Sequence, residues 1–408
     1  MPPSSHPPAT HFEALDGWRG ICACLLVLFH FPGHSPIYSS PLVRHSYLFV
    51  DFFFVLSGFV IAWNYTHRLD SWPGVKRFLF LRLGRVYPLH LFMLLCFVAF
   101  EAAKLASDTA RLEAFTGERE PVAVLTHLLL VQSLHLHDSL TWNAPSWSIS
   151  TELWAYVVFA LVSLWFGMRN WMLLATAAVA PLVLHQVAER MDITYDYGLI
   201  RCVFGFAMGI ACCRIHRAWP RRSPSSGVAA PTAVECLVVA AVVLFVALAG
   251  DGAWSLLAPF VFAPAVLVFA AERGLLSRVL NLPLLKWLGT LSYSIYLTHY
   301  LIVLKLPVVV KQVLHEDLWT QVAMPSGGQV PLFGRTDAEG TFFYAVVMGL
   351  TLAFSALTYR WVETPGRDWS RRWMSRREAR AAATIRTRAA ALPGNARRSS
   401  LAPSHREN

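Results

Sequence analysis

Charge is scarce in this chain. Only 15% of its 408 residues are Asp, Glu, Lys or Arg, where a soluble globular protein carries about a quarter. Cysteine pairs are missing as well. The seven cysteines, Cys22, Cys24, Cys96, Cys202, Cys212, Cys213 and Cys236, make no C-x-x-C pair and lie in or beside apolar runs. That excludes a recognisable disulfide framework or cysteine metal site, and they read as small buried hydrophobes. There is no P-loop, no G-x-S-x-G and no H-E-x-x-H, so nucleotide hydrolysis and the common hydrolase machineries are not signalled. The net charge of +10 comes with no nucleic-acid reader motif, so loops and lipid headgroups account for it. Residues 1–11 hold no Lys or Arg, so the first apolar run is expected to be a retained helix and not a cleaved signal. No internal repeat and no second soluble domain is visible.

What is present is apolar length. Hydrophobic residues make up 55% of the chain, and many windows reach the roughly 20 residues that cross a bilayer. The expected fold class is an all-α, polytopic transmembrane bundle of about ten spans: 15–32, 48–64, 86–103, 146–166, 171–187, 197–213, 233–249, 254–271, 287–306 and 342–361. An eleventh stretch, 122–136, is short and carries His127 and His135, which suits a re-entrant or interfacial segment. With that stretch uncrossed and the N-terminus inside, the basic loops around Arg82, Arg214 and Arg278 and the Arg-rich tail all fall inside. The acidic segments around Glu118 and Asp192 fall outside. The positive-inside rule then places both termini in the cytoplasm. Residues 1–14 read as a disordered tail, 15–370 as the membrane domain and 371–408 as a basic, largely disordered tail. The first part of that tail suits a basic surface helix.

The chemistry-bearing residues lie inside this apolar background, where ionisable groups are costly and mark function by default. Arg19 and His30 are eleven residues apart in LDGWRGICACLLVLFH. On a helix that is about 16 Å of rise and roughly three turns, so both project from one face. Asp51 opens the next span at a similar depth to His30, where a carboxylate would fix the imidazole tautomer and stabilise its protonated form. The plainer alternative is a helix cap at Asp51 and an interfacial polar residue at His30. Glu152, Arg201 and His299, the last one turn beyond Tyr296, add ionisable groups from three more spans in the same outer half. Each alone reads equally well as an interhelical hydrogen bond, but together they argue for a polar cavity. At the inner level Arg82 and Arg85 are i, i+3, a pairing that suits phosphate, and Arg19 lies level with them. For those two, positive-inside topology is the competing explanation.

Taken together, these stretches resemble the membrane-bound acyltransferase family 3 over roughly residues 12–370. The blocks are LDGWRGICACLLVLFH with its R-x10-H spacing, FVDFFFVLSGFVI, RLGRVYPLHLF, WSISTELWAYVVF, RCVFGFAMG, LGTLSYSIYLTHY and YRWVETPGRDW, in that order. The resemblance implies a ten-helix protein of the bacterial inner membrane. It implies transfer of an acyl group, most often acetyl, from cytoplasmic acyl-coenzyme A to a hydroxyl of an envelope glycan or exopolysaccharide. His30 is then the essential histidine, with Arg19, Arg82 and Arg85 near the coenzyme. Asp51 and Glu152 join His30 as candidate catalytic residues, and Arg201, His299 and Tyr296 as candidate acceptor-binding residues. No metal is expected. His30 acting as general base and His30 carrying the acyl group as an acyl-imidazole are both open. One departure is that Glu152 is followed by Leu153, where the family often has a second acid. The rival from another class is a proton-coupled transporter or flippase built on the same buried His and Asp; the absence of an inverted repeat counts against it.

Overall fold

A computed structural model of the chain describes residues 12–66, 68–106, 111–219, 227–323 and 328–391. The first helix, α1 (Glu13–His30), is followed by two single-turn helices, α2 (Pro36–Ser39) and α3 (Pro41–Arg44). Then come α4 (Phe49–Tyr65), α5 (Trp72–Lys104), the short α6 (Pro121–Leu128), α7 (Trp147–Phe166), α8 (Asn170–Val187), α9 (Gly198–Ala218) and α10 (Ala229–Ala249). The remaining helices are α11 (Ala258–Phe269), α12 (Leu275–Leu280), α13 (Pro283–Leu314), α14 (Asp337–Thr358) and α15 (Thr364–Ala391). Among the described residues the one sheet is an antiparallel hairpin of β1 (Trp319–Ala323) and β2 (Gln329–Phe333).

Among the described residues eight helices are long and apolar enough to cross a membrane: α4, α5, α7, α8, α9, α10, α13, and α14 continued into α15. The two other expected spans are also helices. The first, α1, carries Glu13, Asp16 and Arg19 in its first two turns, and α11 has only 12 residues. The doubtful stretch 122–136 forms the eight-residue α6 and then irregular chain, too little helix to span. Its carbonyls are satisfied by protein: Ser150 Oγ and the Trp154 indole both donate to the Leu130 oxygen, at 2.8 and 3.0 Å.

Two helix pairs position everything that follows. One is α4 with α9. Gly58 faces the Phe206 carbonyl, and Gly209 faces the Val55 carbonyl so closely that a methyl group would overlap it. The other is α1 with α13, where Gly20 lies against the Gly289 amide. Small residues let backbones approach where lipid supplies no hydrophobic drive between helices.

The last span does not stop at the membrane edge. A π-helical turn, Tyr359–Glu363, joins α14 to α15. The basic surface helix anticipated in the tail is therefore the distal part of α15, and residues 392–408 lie outside the described residues. The 33-residue α5 is about 50 Å long, well beyond the roughly 30 Å of hydrocarbon. Its extra N-terminal turns, missing from the apolar run 86–103, are covered by α15. Phe80 packs on Trp373 with ring centroids 4.6 Å apart, Arg77 pairs with Glu378 at 2.6 Å, and Gly84 lies against Ser370.

Candidate functional site

His30 is the last residue of α1. Its Nδ1 lies 2.8 Å from the Leu26 carbonyl oxygen and 3.1 Å from Nε2 of His299 on α13. Nδ1 of His299 lies in turn 3.1 Å from the Ile295 carbonyl oxygen. A carbonyl oxygen only accepts, so each ring carries its proton on Nδ1. His299 Nε2 is then an acceptor, and the His30 Nδ1–H donates between it and Leu26. Nε2 of His30 is left unprotonated, on a ring lining a small cavity of about 110 Å³ together with Tyr47, Trp147, Arg201 and Tyr296. A neutral imidazole with one nitrogen tied and the other bare is equipped to take a proton or to attack a carbonyl.

The expected His30–Asp51 pair is not what forms. Arg201 donates from Nε and Nη2 to the two oxygens of Asp51, at 2.9 and 2.8 Å, in a fork-to-fork pair. Arg201 also donates to the Ile193 and Tyr47 carbonyl oxygens, at 2.9 and 3.3 Å, and stacks over Trp147. Both side chains are sealed from solvent. The cause is the packing above: α4 and α9 touch backbone to backbone, which sets Arg201 against Asp51. α1 instead lies along α13, which sets His299 against His30. The orienting role foreseen for Asp51 thus falls geometrically to His299. Arg201, foreseen as an acceptor ligand, lines the small cavity but spends its donors on the protein.

The remaining candidates line a second, larger cavity of about 460 Å³. Arg19, Arg82 and Arg85 lie on its wall, as their common level in the sequence suggested, and so does Glu152. Arg82 donates to the Tyr65 hydroxyl at 3.0 Å with its guanidinium over that ring. Arg19 pairs with Asp16 at 3.0 Å, and Arg85 lies 3.7 Å from Glu363. Glu152 does not converge on His30 as expected. It accepts from the Tyr156 hydroxyl at 2.6 Å and from Ser57, inside the arginine cavity. Among the described residues no three His, Cys, Asp or Glu side chains gather as a metal site would need.

The family model described as an acyltransferase domain matches residues 12–360. The chain belongs to this acyltransferase family. The acyltransferase is 27% identical over 293 residues to acyltransferase MdmB of Streptomyces mycarofaciens, covering 62% of this chain and 67% of that protein. It is 26% identical over 402 residues to a putative membrane-bound transacylase, BcsY, of Komagataeibacter xylinus, covering 94% and 88%. A third relative, protein 2 of the picA locus of Rhizobium radiobacter, is 33% identical over 194 residues, 44% of this chain and 97% of that protein. No solved structure matches.

Three acyltransferase residues escaped the sequence reading. Arg68 and Arg371 also line the arginine cavity. Arg371 comes from α15, and nothing in a basic tail signals that one arginine folds back. Glu363 is fully buried in the π-helical turn, accepts from Ser294 Oγ at 2.8 Å and faces Arg85. Its signal was present in YRWVETPGRDW, where Glu363 is the first acid after an apolar span.

Proposed function

We propose that this protein is an O-acyltransferase of the bacterial inner membrane that moves an acyl group, acetyl by preference, from cytoplasmic acyl-coenzyme A to a hydroxyl of an envelope glycan or exopolysaccharide. The observation that carries the reading is the pairing of sites. An arginine-lined cavity sits toward the basic end of the bundle, and a histidine with a bare Nε2 faces a small cavity beyond it. Arg19, Arg68, Arg82, Arg85 and Arg371 supply the fork-shaped donors that phosphates require. The positive-inside rule puts that end in the cytoplasm, where the coenzyme is.

In this reading His30 Nε2 takes the proton of the acceptor hydroxyl. The hydroxyl oxygen adds to the thioester carbonyl, the C–S bond breaks, and the coenzyme thiolate leaves and receives the proton held by His30. His299 accepts from His30 Nδ1–H throughout and steadies the imidazolium. Transfer of labelled acetyl from acetyl-coenzyme A into membrane glycan tests the proposal. Wild type is expected to incorporate label, and His30→Ala to lose roughly 100- to 10,000-fold. Equal incorporation by both would remove His30 from the chemistry.

A further inference from the structure

The arginine cavity and the His30 cavity are separate, and their walls have two side chains in common, Val50 of α4 and Tyr296 of α13. Tyr296 is only 6% exposed. Its hydroxyl donates to the Pro145 carbonyl oxygen at 2.9 Å and accepts from Ser148 Oγ at 2.9 Å. Those two partners face opposite ways: Pro145 lines the small cavity and Ser148 the large one. The phenol ring lies one helical turn from His299, with centroids 6.0 Å apart. One tyrosine, tied at its tip, therefore stands between the place where a donor would be held and the base that would use it.

We infer that Tyr296 is a gate: a seated donor displaces the phenol from Pro145 and Ser148, and the gap left between the ring and Val50 sets the size of acyl group that reaches His30. The inference rests on the acyl-coenzyme A reading above. A closed gate serves that chemistry, because a base that meets water and a thioester together wastes the donor. In that side reaction water adds to the thioester carbonyl, the C–S bond breaks, and a free acid and a thiol leave. Both sides of the gap are hydrocarbon, so each added methylene must fit beside an aromatic ring or push it aside. Pockets of this kind discriminate by roughly tenfold or more per methylene.

The test uses the full-length protein in lipid nanodiscs. Acetyl-coenzyme A binding is measured by calorimetry. Release of free thiol without acceptor is then followed for acetyl-, butyryl- and hexanoyl-coenzyme A. Tyr296→Ala is expected to bind acetyl-coenzyme A at least as tightly as wild type, since no phenol has to be displaced, to raise acceptor-free thiol release about tenfold, and to bring the three donors within about threefold of one another. Tyr296→Phe keeps the ring but loses both hydrogen bonds, so it is expected to leak while still preferring acetyl. The added leak is expected to vanish in Tyr296→Ala combined with His30→Ala, which a merely loosened fold would not produce. Val50→Ala widens the same gap from the other helix and carries the test if Tyr296→Ala does not fold. Normal binding with unchanged leak and unchanged donor preference would overturn the gate and leave the acyl-coenzyme A reading standing. No binding of acetyl-coenzyme A by wild type would overturn both.

Discussion

Two histidines on different helices share one proton position, and their contact is the part of the site most open to substitution. His299→Phe removes the acceptor facing His30 Nδ1–H, whereas His299→Gln keeps a carbonyl oxygen that can take its place. Acyl transfer is expected to fall roughly 10- to 100-fold in the first and less in the second, measured as turnover at saturating donor. Asp51 and Arg201 call for a different experiment, because their pair is buried and fully satisfied. Asp51→Asn leaves a guanidinium without its counter-charge and is expected to cost about 3–5 kcal/mol, read as a lower melting temperature in detergent. Asp51→Leu with Arg201→Met removes both charges, and is expected to recover most of that stability together with transfer activity. A double variant that is stable but inactive would return Asp51 to the chemistry. The Arg19–His30 spacing was legible in the sequence, because one helix carries both residues and helical rise needs no partner. It did not show which side chain faces His30, because Asp51 and His299 are equally polar residues in apolar spans and only interhelical packing chooses between them.

Helix existence was legible and helix pairing was not. Every expected span is a helix, because a continuous apolar run of this length satisfies its whole backbone within itself only as a helix. Helix length was read short wherever the extra turns are amphipathic. The first turns of α5 hold Lys76, Arg77, Arg82 and Arg85, which ended the apolar run at residue 86 and hid the surface on which α15 lies. The glycines that pair α4 with α9 are present in LSGFV and FGFAMG, but a glycine in an apolar helix does not name its neighbour. Gly209→Ala is expected to destabilise the bundle by about 1–3 kcal/mol through overpacking against α4, with a lower detergent melting temperature. Gly349→Ala, where nothing beyond its own helical backbone and chain neighbours stands within 4 Å of the added methyl, is expected to leave it unchanged or slightly raised.

Across the whole molecule the two ends of the bundle carry different kinds of residue, and that asymmetry could be read from charge before any helix was placed. Basic loops cluster at one end because membrane insertion sorts them there. Five arginines of that end line one cavity, and Arg371 reaches it from α15, which packs along α5. Arg82→Ala and Arg371→Ala are each expected to raise the KM for acetyl-coenzyme A roughly 10-fold with a smaller change in kcat. With acetyl-pantetheine, which lacks the nucleotide phosphates, neither is expected to matter. A loss of the same size with both donors would show that these arginines support the fold and not the phosphates.

The short stretch after α1 has a mechanical consequence. The His34 amide donates to the Phe333 carbonyl oxygen at 2.9 Å, and the Phe333 amide donates to the Pro32 carbonyl oxygen at 2.7 Å. The chain leaving His30 is thereby stitched to the β1–β2 hairpin. At its other end α1 is held against α13 at Gly20 and by the Glu13–Lys286 ion pair. A rod pinned at both ends cannot piston along its axis, so His30 keeps its place while its surroundings move. In the proposed reaction, acceptor, donor arm and Tyr296 come to it.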